Sequence, residues 1–256
     1  MGTISVKTYR RGLEKKAAQA VSILLHKYKT KPILLMVSGG SALKILNHTI
    51  ADTFGSKITV TVLDERFSSD PAVNNFLQIA ISEFYEQAKK NNVNFLITVP
   101  LPNEHIQDIA DRWQFDIRLW LANHPGGKVV ALMGMGEDGH TAGIMPYPEN
   151  EWIFNELFED ENKWVVAYDA LSKNQHPQRI TTTTHFLKHV IDEAILFVTG
   201  EQKKEMLRRA LAPDGKVHEY PVRIIHEMKQ VTVFTDIILQ KVDNRKKTEV
   251  NQIKAN

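Results

Sequence analysis

Met133-Gly134-Met135-Gly136-Glu137-Asp138-Gly139-His140-Thr141-Ala142 is the stretch on which the reading of this chain turns. It follows a short apolar run, Val129-Val130-Ala131-Leu132, which reads as a buried strand. The strand therefore ends in a glycine turn that holds out a carboxylate and an imidazole. Glycine supplies backbone angles and close approach that other residues resist. In open α/β sheets, ligands bind at the carboxyl ends of strands. A histidine two residues after an aspartate is then a candidate base with an orienting partner. The same letters also fit a plain turn carrying a surface histidine, so the rest of the chain has to decide.

Working outward, the same grammar recurs. Ile33-Leu34-Leu35-Met36-Val37 reads as a strand buried on both faces. Ser38-Gly39-Gly40-Ser41 is its turn, and Ala42, Leu43, Ile45 and Leu46 start a helix. Strand, Ser/Gly loop and helix make a natural anion site, because the first helical N–H groups are unpaired. The loop is neither a P-loop nor a GxGxxG fingerprint, so it also fits a purely structural turn. Ile58 to Leu63 is a third strand, ending at Asp64-Glu65-Arg66. An arginine there can clamp a phosphate or carboxylate through two parallel bonds, or sit in a surface ion pair. Asn94 to Thr98, Trp164 to Tyr168, Ala194 to Thr199 and Val231 to Phe234 complete the strand candidates. Arg179-Ile180-Thr181-Thr182-Thr183-Thr184 is extended and turns toward a helix near Phe186.

Helical stripes fall over residues 13 to 28, from Phe76 into the eighties, over 104 to 121 and over 201 to 211. Lys203 sits in the first turn of the last of these, where the helix dipole disfavours a cation. A bound anion would remove that conflict; an ordinary surface lysine would tolerate it. Pro146 to Lys163 is irregular, a lid or a short packed helix. Strands alternating with helices imply a doubly wound, mostly parallel Rossmann-like α/β sheet with helices on both faces. One domain over residues 1–240 and a polar tail over 241–256 account for the chain.

Composition narrows the function. The 32 basic and 30 acidic side chains give a net charge of +2, which argues against a broad nucleic-acid surface but not against a local basic pocket. No run of 18 apolar residues suggests a membrane span, and Met1 to Lys7 lacks a signal-peptide core. With no cysteine there is no thiol nucleophile, and a reducing cytoplasm is the default expectation. One His and one Asp in the central turn do not make a metal set, and His124, His176, His185 and His189 add no compact ligand pattern.

Together these segments resemble the 6-phosphogluconolactonase family, within the wider group that includes glucosamine-6-phosphate deaminases. The resemblance spans roughly residues 8 to 240. Its marks are Ser38-Gly39-Gly40-Ser41, Asp64-Glu65-Arg66, Gly134 to Ala142 with Pro146, Arg179-Ile180-Thr181, Thr199-Gly200 with Lys203, and Asp236 after the last strand. The resemblance implies a Rossmann-like fold with small additional strands. It implies hydrolysis of 6-phospho-D-glucono-1,5-lactone in the pentose phosphate pathway, with no cofactor; a monomer and a homodimer are both ordinary for a domain of this size. It further implies His140 as general base oriented by Asp138, and Gly39, Gly40 and Ser41 around the 6-phosphate. Arg179 and Lys203 would add positive charge there, and Asp64 and Arg66 would flank the sugar.

The deaminases carry a glutamate five residues after the motif histidine. Met145 stands there in this chain and cannot relay a proton, which favours the lactonases. The sequence departs from the family pattern at Ala42-Leu43-Lys44, at Phe67-Ser68-Ser69, at Val73 before Asn74, and at Gly143-Ile144-Met145. A deaminase-like enzyme and a non-catalytic sugar-phosphate sensor remain the competing readings. Ammonia release would mark the first, and binding without turnover the second.

Overall fold

A computed structural model describes residues 2–49 and 53–239; the 241–256 tail lies outside the described residues. The strands in chain order are β1 (Thr3–Thr8), β2 (Ile33–Val37), β3 (Ile58–Val62), β4 (Asp64–Arg66), β5 (Asn94–Phe95), β6 (Lys128–Gly134), β7 (Val165–Asp169), β8 (Gln178–Thr182), β9 (Glu193–Val198) and β10 (Gln230–Thr235). Seven of them form one sheet in the order β1-β10-β9-β6-β2-β3-β5. Every pairing in it is parallel. The helices are α1 (Leu13–Lys27), α2 (Ser41–Leu46), α3 (Asn75–Ala80), α4 (Glu83–Lys90), α5 (Ile106–Asn123), α6 (Glu151–Phe158), α7 (Thr184–His189) and α8 (Lys204–Leu211), and they flank the sheet in a Rossmann-like arrangement. Among the described residues no helix is long and apolar enough to cross a membrane.

The central strands form because both of their faces find apolar cover. Every residue of β2, β3 and β9 is buried. Truncating one such side chain, Leu35→Ala for example, removes packing worth about 2–5 kcal/mol. The edge strand β1 is different. Its residues are nearly all exposed, so Thr3-Ile4-Ser5-Val6-Lys7-Thr8 shows no apolar run, and only its pairing with β10 reveals it as a strand. The helix expected from Phe76 into the eighties is two helices. Asn74 Oδ1 caps α3 through Leu77 N at 2.8 Å, and Ser82 Oγ starts α4 by accepting from Tyr85 N at 3.3 Å. A capping serine inside an apolar stripe restarts the helix on a new axis. The irregular 146–163 segment contains α6, capped by Asn150.

Chain order places the switch point between β2 and β6. From β2 the chain winds outward through β3 and β5, then returns to lay β6 on the other side of β2. The turns after β2 and β6 therefore open side by side, which leaves a crevice. A second sheet lies at this crevice. Asp64–Arg66 is not the end of β3, as the sequence suggested, but the short strand β4, antiparallel to β8, which pairs with β7. Asp64 lies opposite Thr181, and Arg66 lies opposite Arg179, which in turn lies opposite Tyr168. Side chains alternate along a strand, so Asp64, Arg66, Tyr168, Arg179 and Thr181 share one face.

Glu65 points the other way, is fully buried, and ties the small sheet to α3. Its carboxyl accepts from Arg66 N at 2.8 Å, Asn75 N at 2.6 Å, Phe76 N at 2.9 Å and Thr98 Oγ1 at 2.8 Å. Burial outweighs these bonds and pushes the carboxyl up to about 7 from its ordinary 4.5. The folded state thus holds a proton that the unfolded chain has released, and stability falls as pH rises between those values. Wild type is expected to lose up to about 3 kcal/mol relative to Glu65→Gln between pH 4.5 and pH 7. Urea unfolding of both proteins across that window checks it; a constant difference would mean that Glu65 stays ionised throughout.

Candidate active site

The crevice at the switch point is a cleft of about 320 Å³, within the usual range for small-ligand sites. Its floor is the pair of turns after β2 and β6, and its roof is the polar face of the small sheet. Gly39, Gly40, Ser41, Asp64, Arg66, His140, Arg179 and Lys203, all singled out from the sequence, line it together. Asp138 stands behind His140. Ser38 and Glu137 line the cleft as well. Ser38 could have been read from the Ser/Gly loop that contains it, whereas nothing local marks Glu137 among the surface acids.

The β6 turn is built around a missing side chain. A Cβ on Gly136 would fall 2.1 Å from His140 Nδ1 and 2.6 Å from Asp138 Oδ1. Only glycine leaves room for the two side chains to meet above the backbone. Gly136 N donates to His140 O at 2.9 Å, closing the loop, and Gly139 turns it at φ +88°. His140 Nδ1 then lies 2.6 Å from Asp138 Oδ1, and the His140 backbone N–H donates to the same oxygen at 3.1 Å. Partial burial raises the Asp138 carboxyl, but the His140 hydrogen bond and charge more than reverse this and hold it below the ordinary carboxylate value. An ionised Asp138 accepts only, so Nδ1 carries the proton and neutral His140 offers the Nε2 lone pair. His140 is one-third exposed, enough for water to reach it.

The β2 turn repeats the device. A Cβ on Gly39 would fall 2.2 Å from Asn75 Oδ1. Asn75 is itself fixed by donating Nδ2 to Asp64 O at 2.8 Å. On the roof, Arg179 is 2% exposed and donates Nη2 to Asp64 Oδ2 at 2.7 Å. Its Nε and Nη1 are buried without a partner among the described residues, as are Arg66 Nε and Ser38 Oγ. Arg66 Nη1 donates to Val73 O at 3.0 Å. Two arginines opposite one another across β4 and β8 repel, unless an acceptor sits between them. Asp64 is therefore engaged by Arg179 rather than free to meet a ligand with its whole carboxylate. Lys203 Nζ donates to Met135 O at 2.6 Å, at the end of β6. Burial lowers its pKa, and the Glu137 and Asp138 charges partly offset that.

Residues 9–234 match the family described as glucosamine-6-phosphate isomerases/6-phosphogluconolactonase. The chain is 26% identical over 249 residues to a 6-phosphogluconolactonase of Aggregatibacter actinomycetemcomitans, covering 91% of this chain and 95% of that one. It is 25% identical over 253 residues to a 6-phosphogluconolactonase of Haemophilus influenzae, with the same coverage. Among solved structures it resembles a 6-phosphogluconolactonase from Shewanella baltica with a TM-score of 0.71 at 24% identity, over 92% of this chain and 97% of that one. This last likeness is one of fold.

Gly136→Ala tests the steric argument. The variant should lose the Asp138–His140 contact while the parallel sheet remains folded. ¹⁵N NMR of the His140 imidazole should then show mixed tautomers in place of one dominated by Nδ1–H. A single unchanged tautomer in the variant would show that the pair does not depend on the glycine.

Proposed function

Because the chain belongs to the 6-phosphogluconolactonase family, within the glucosamine-6-phosphate isomerase superfamily, we propose that it hydrolyses 6-phospho-D-glucono-1,5-lactone. One observation carries the reading: an Asp138–His140 pair opens onto a cleft where buried Ser38, Arg66 and Arg179 atoms lack partners among the described residues. Such atoms are costly unless something binds them. The charged side chains lining the cleft are three cations against two carboxylates, Asp64 and Glu137, which suits an anionic substrate.

In this reading the Ser38–Ser41 loop, Arg179 and Lys203 hold the 6-phosphate by charge-assisted bonds, and Asp64 and Arg66 flank the sugar hydroxyls. Anchoring the phosphate brings C1 to His140. Nε2 takes a proton from water as the water oxygen bonds to C1, giving a tetrahedral oxyanion. Asp138 holds the tautomer and stabilises the imidazolium that forms. When the oxyanion collapses, the bond from C1 to the ring oxygen breaks. Nε2–H delivers its proton to that oxygen, which becomes the sugar hydroxyl. The new carboxylic acid releases its proton to solvent. Met145 is wholly buried and carries no titratable group, so the position where a deaminase places its glutamate contributes nothing to proton transfer.

Freshly generated lactone, which also opens spontaneously, should disappear faster with wild type than without enzyme. His140→Ala and Asp138→Asn should each lower kcat by about 10²–10⁴-fold. Full turnover by folded His140→Ala would remove it as the base, and ammonia release from glucosamine 6-phosphate would move the assignment to the deaminases. Lys203→Ala should raise KM for the phosphorylated lactone more than it lowers kcat. An unchanged KM would take Lys203 out of the phosphate site.

A further inference from the structure

Ester hydrolysis needs donors for the oxygen that becomes negatively charged, usually the largest single contribution to such catalysis. In this reading the side-chain cations are committed elsewhere, Arg179 and Lys203 to the phosphate and Arg66 to the sugar hydroxyls. One arm of Arg179 is held by Asp64, and Lys203 already donates to the Met135 carbonyl. The turn immediately after His140 supplies what is missing.

Ala142 and Gly143 stand at φ +47° and +75°, and Ile144 N donates to Thr141 O at 2.8 Å. Positive φ at both central positions makes this a primed turn, a strained choice for alanine. Two side chains of the small sheet hold it there. Thr181 Oγ1 donates to the Ala142 carbonyl, and Tyr168 Oη donates to the Gly143 carbonyl at 2.5 Å. Gly143 also packs against Asp64, where a Cβ would fall 2.5 Å from the Asp64 Cβ. A peptide unit is planar and trans, so its N–H points opposite its carbonyl. With the Ala142 carbonyl drawn onto β8, the Gly143 N–H faces away from the small sheet. With the Thr141 carbonyl turned inward to Ile144, the Ala142 N–H faces out of the turn. Both residues are buried, both line the cleft beside His140, and neither N–H makes a hydrogen bond with the described residues. Buried N–H groups are almost always paired.

We propose that the backbone N–H groups of Ala142 and Gly143 form the oxyanion hole for the tetrahedral intermediate, with Tyr168 and Thr181 as the positioning residues that aim them. The assignment rests on the lactonase reading. Water attack at C1 moves the carbonyl π pair onto the oxygen, and the two N–H groups receive that charge. Collapse returns the pair to carbon as the ring C–O bond breaks, and the N–H groups release the neutral carbonyl.

Amide-to-ester replacement at Gly143, with glycolate in place of glycine, deletes one N–H and leaves every side chain. It should lower kcat by about 10²-fold and leave KM within about twofold. Tyr168→Phe frees the Gly143 carbonyl and should lower kcat in the same way, with a smaller effect. Wild-type hydrolysis with an ester variant of unchanged kcat would overturn the oxyanion hole and leave the lactonase reading standing. No hydrolysis by wild type would remove the lactonase reading, and this assignment with it. If the variants do not fold, ¹⁵N-labelled wild type titrated with 6-phosphogluconate gives the answer, because the product carboxylate occupies the oxyanion position. The Ala142 and Gly143 amide protons should move downfield, and unmoved amides at saturation would overturn the proposal.

Discussion

The buried ion pair between Arg179 and Asp64 is the interaction on which the upper half of the site depends. Both side chains are almost completely removed from water. Burying either charge alone would cost several kcal/mol, and their attraction offsets this only if the geometry is good. The 2.7 Å contact provides it, and in doing so fastens β8 to β4. β4 in turn carries Glu65, which accepts three bonds from α3 and Thr98. The roof of the cleft is therefore braced from both of its faces. A guanidinium so placed cannot reorient toward a ligand; the ligand must come to its unoccupied edge.

Absent side chains govern the floor. Gly39, Gly136 and Gly143 each lie where a Cβ would collide with a polar side chain: Asn75, the Asp138–His140 pair, and Asp64. The turn after β2 thus closes on the start of α3, and the turn after β6 closes on itself and on β4, more tightly than ordinary residues permit. Asp64 links the two turns, since Asn75 holds its backbone carbonyl and its side chain meets both Gly143 and Arg179.

Much of this was legible in the residues, and the part that was not was hidden by sequence separation or by exposure. β2, β3 and β9 declare themselves because burial on both faces leaves unbroken apolar runs. The Asp138–His140 pair is legible because its members are two residues apart and share a glycine turn. The strand character of Asp64–Arg66 is not, because three charged residues carry no β signature and the pairing partner is more than a hundred residues away. The same distance hides the Arg179–Asp64 bond, and shorter but still non-local separations hide the hold of Tyr168 and Thr181 on the turn after His140. β1 escapes because an exposed edge strand needs no apolar face. Local chemistry writes turns and caps into a sequence, whereas register between distant strands is set by the assembled sheet.

The pairing of β1 with β10 has a consequence for how the chain is made. Thr3 to Thr8 lies beside Gln230 to Thr235, with β10 inserted between β1 and β9. Of the described strands the earliest made must wait for the latest, and contacts of such sequence separation close slowly. During translation the β2–β3–β6 centre can assemble as its strands emerge, while β9 keeps a bare edge until β10 arrives. The polar, water-exposed character of β1 is what lets it wait in solution without recruiting the wrong neighbour.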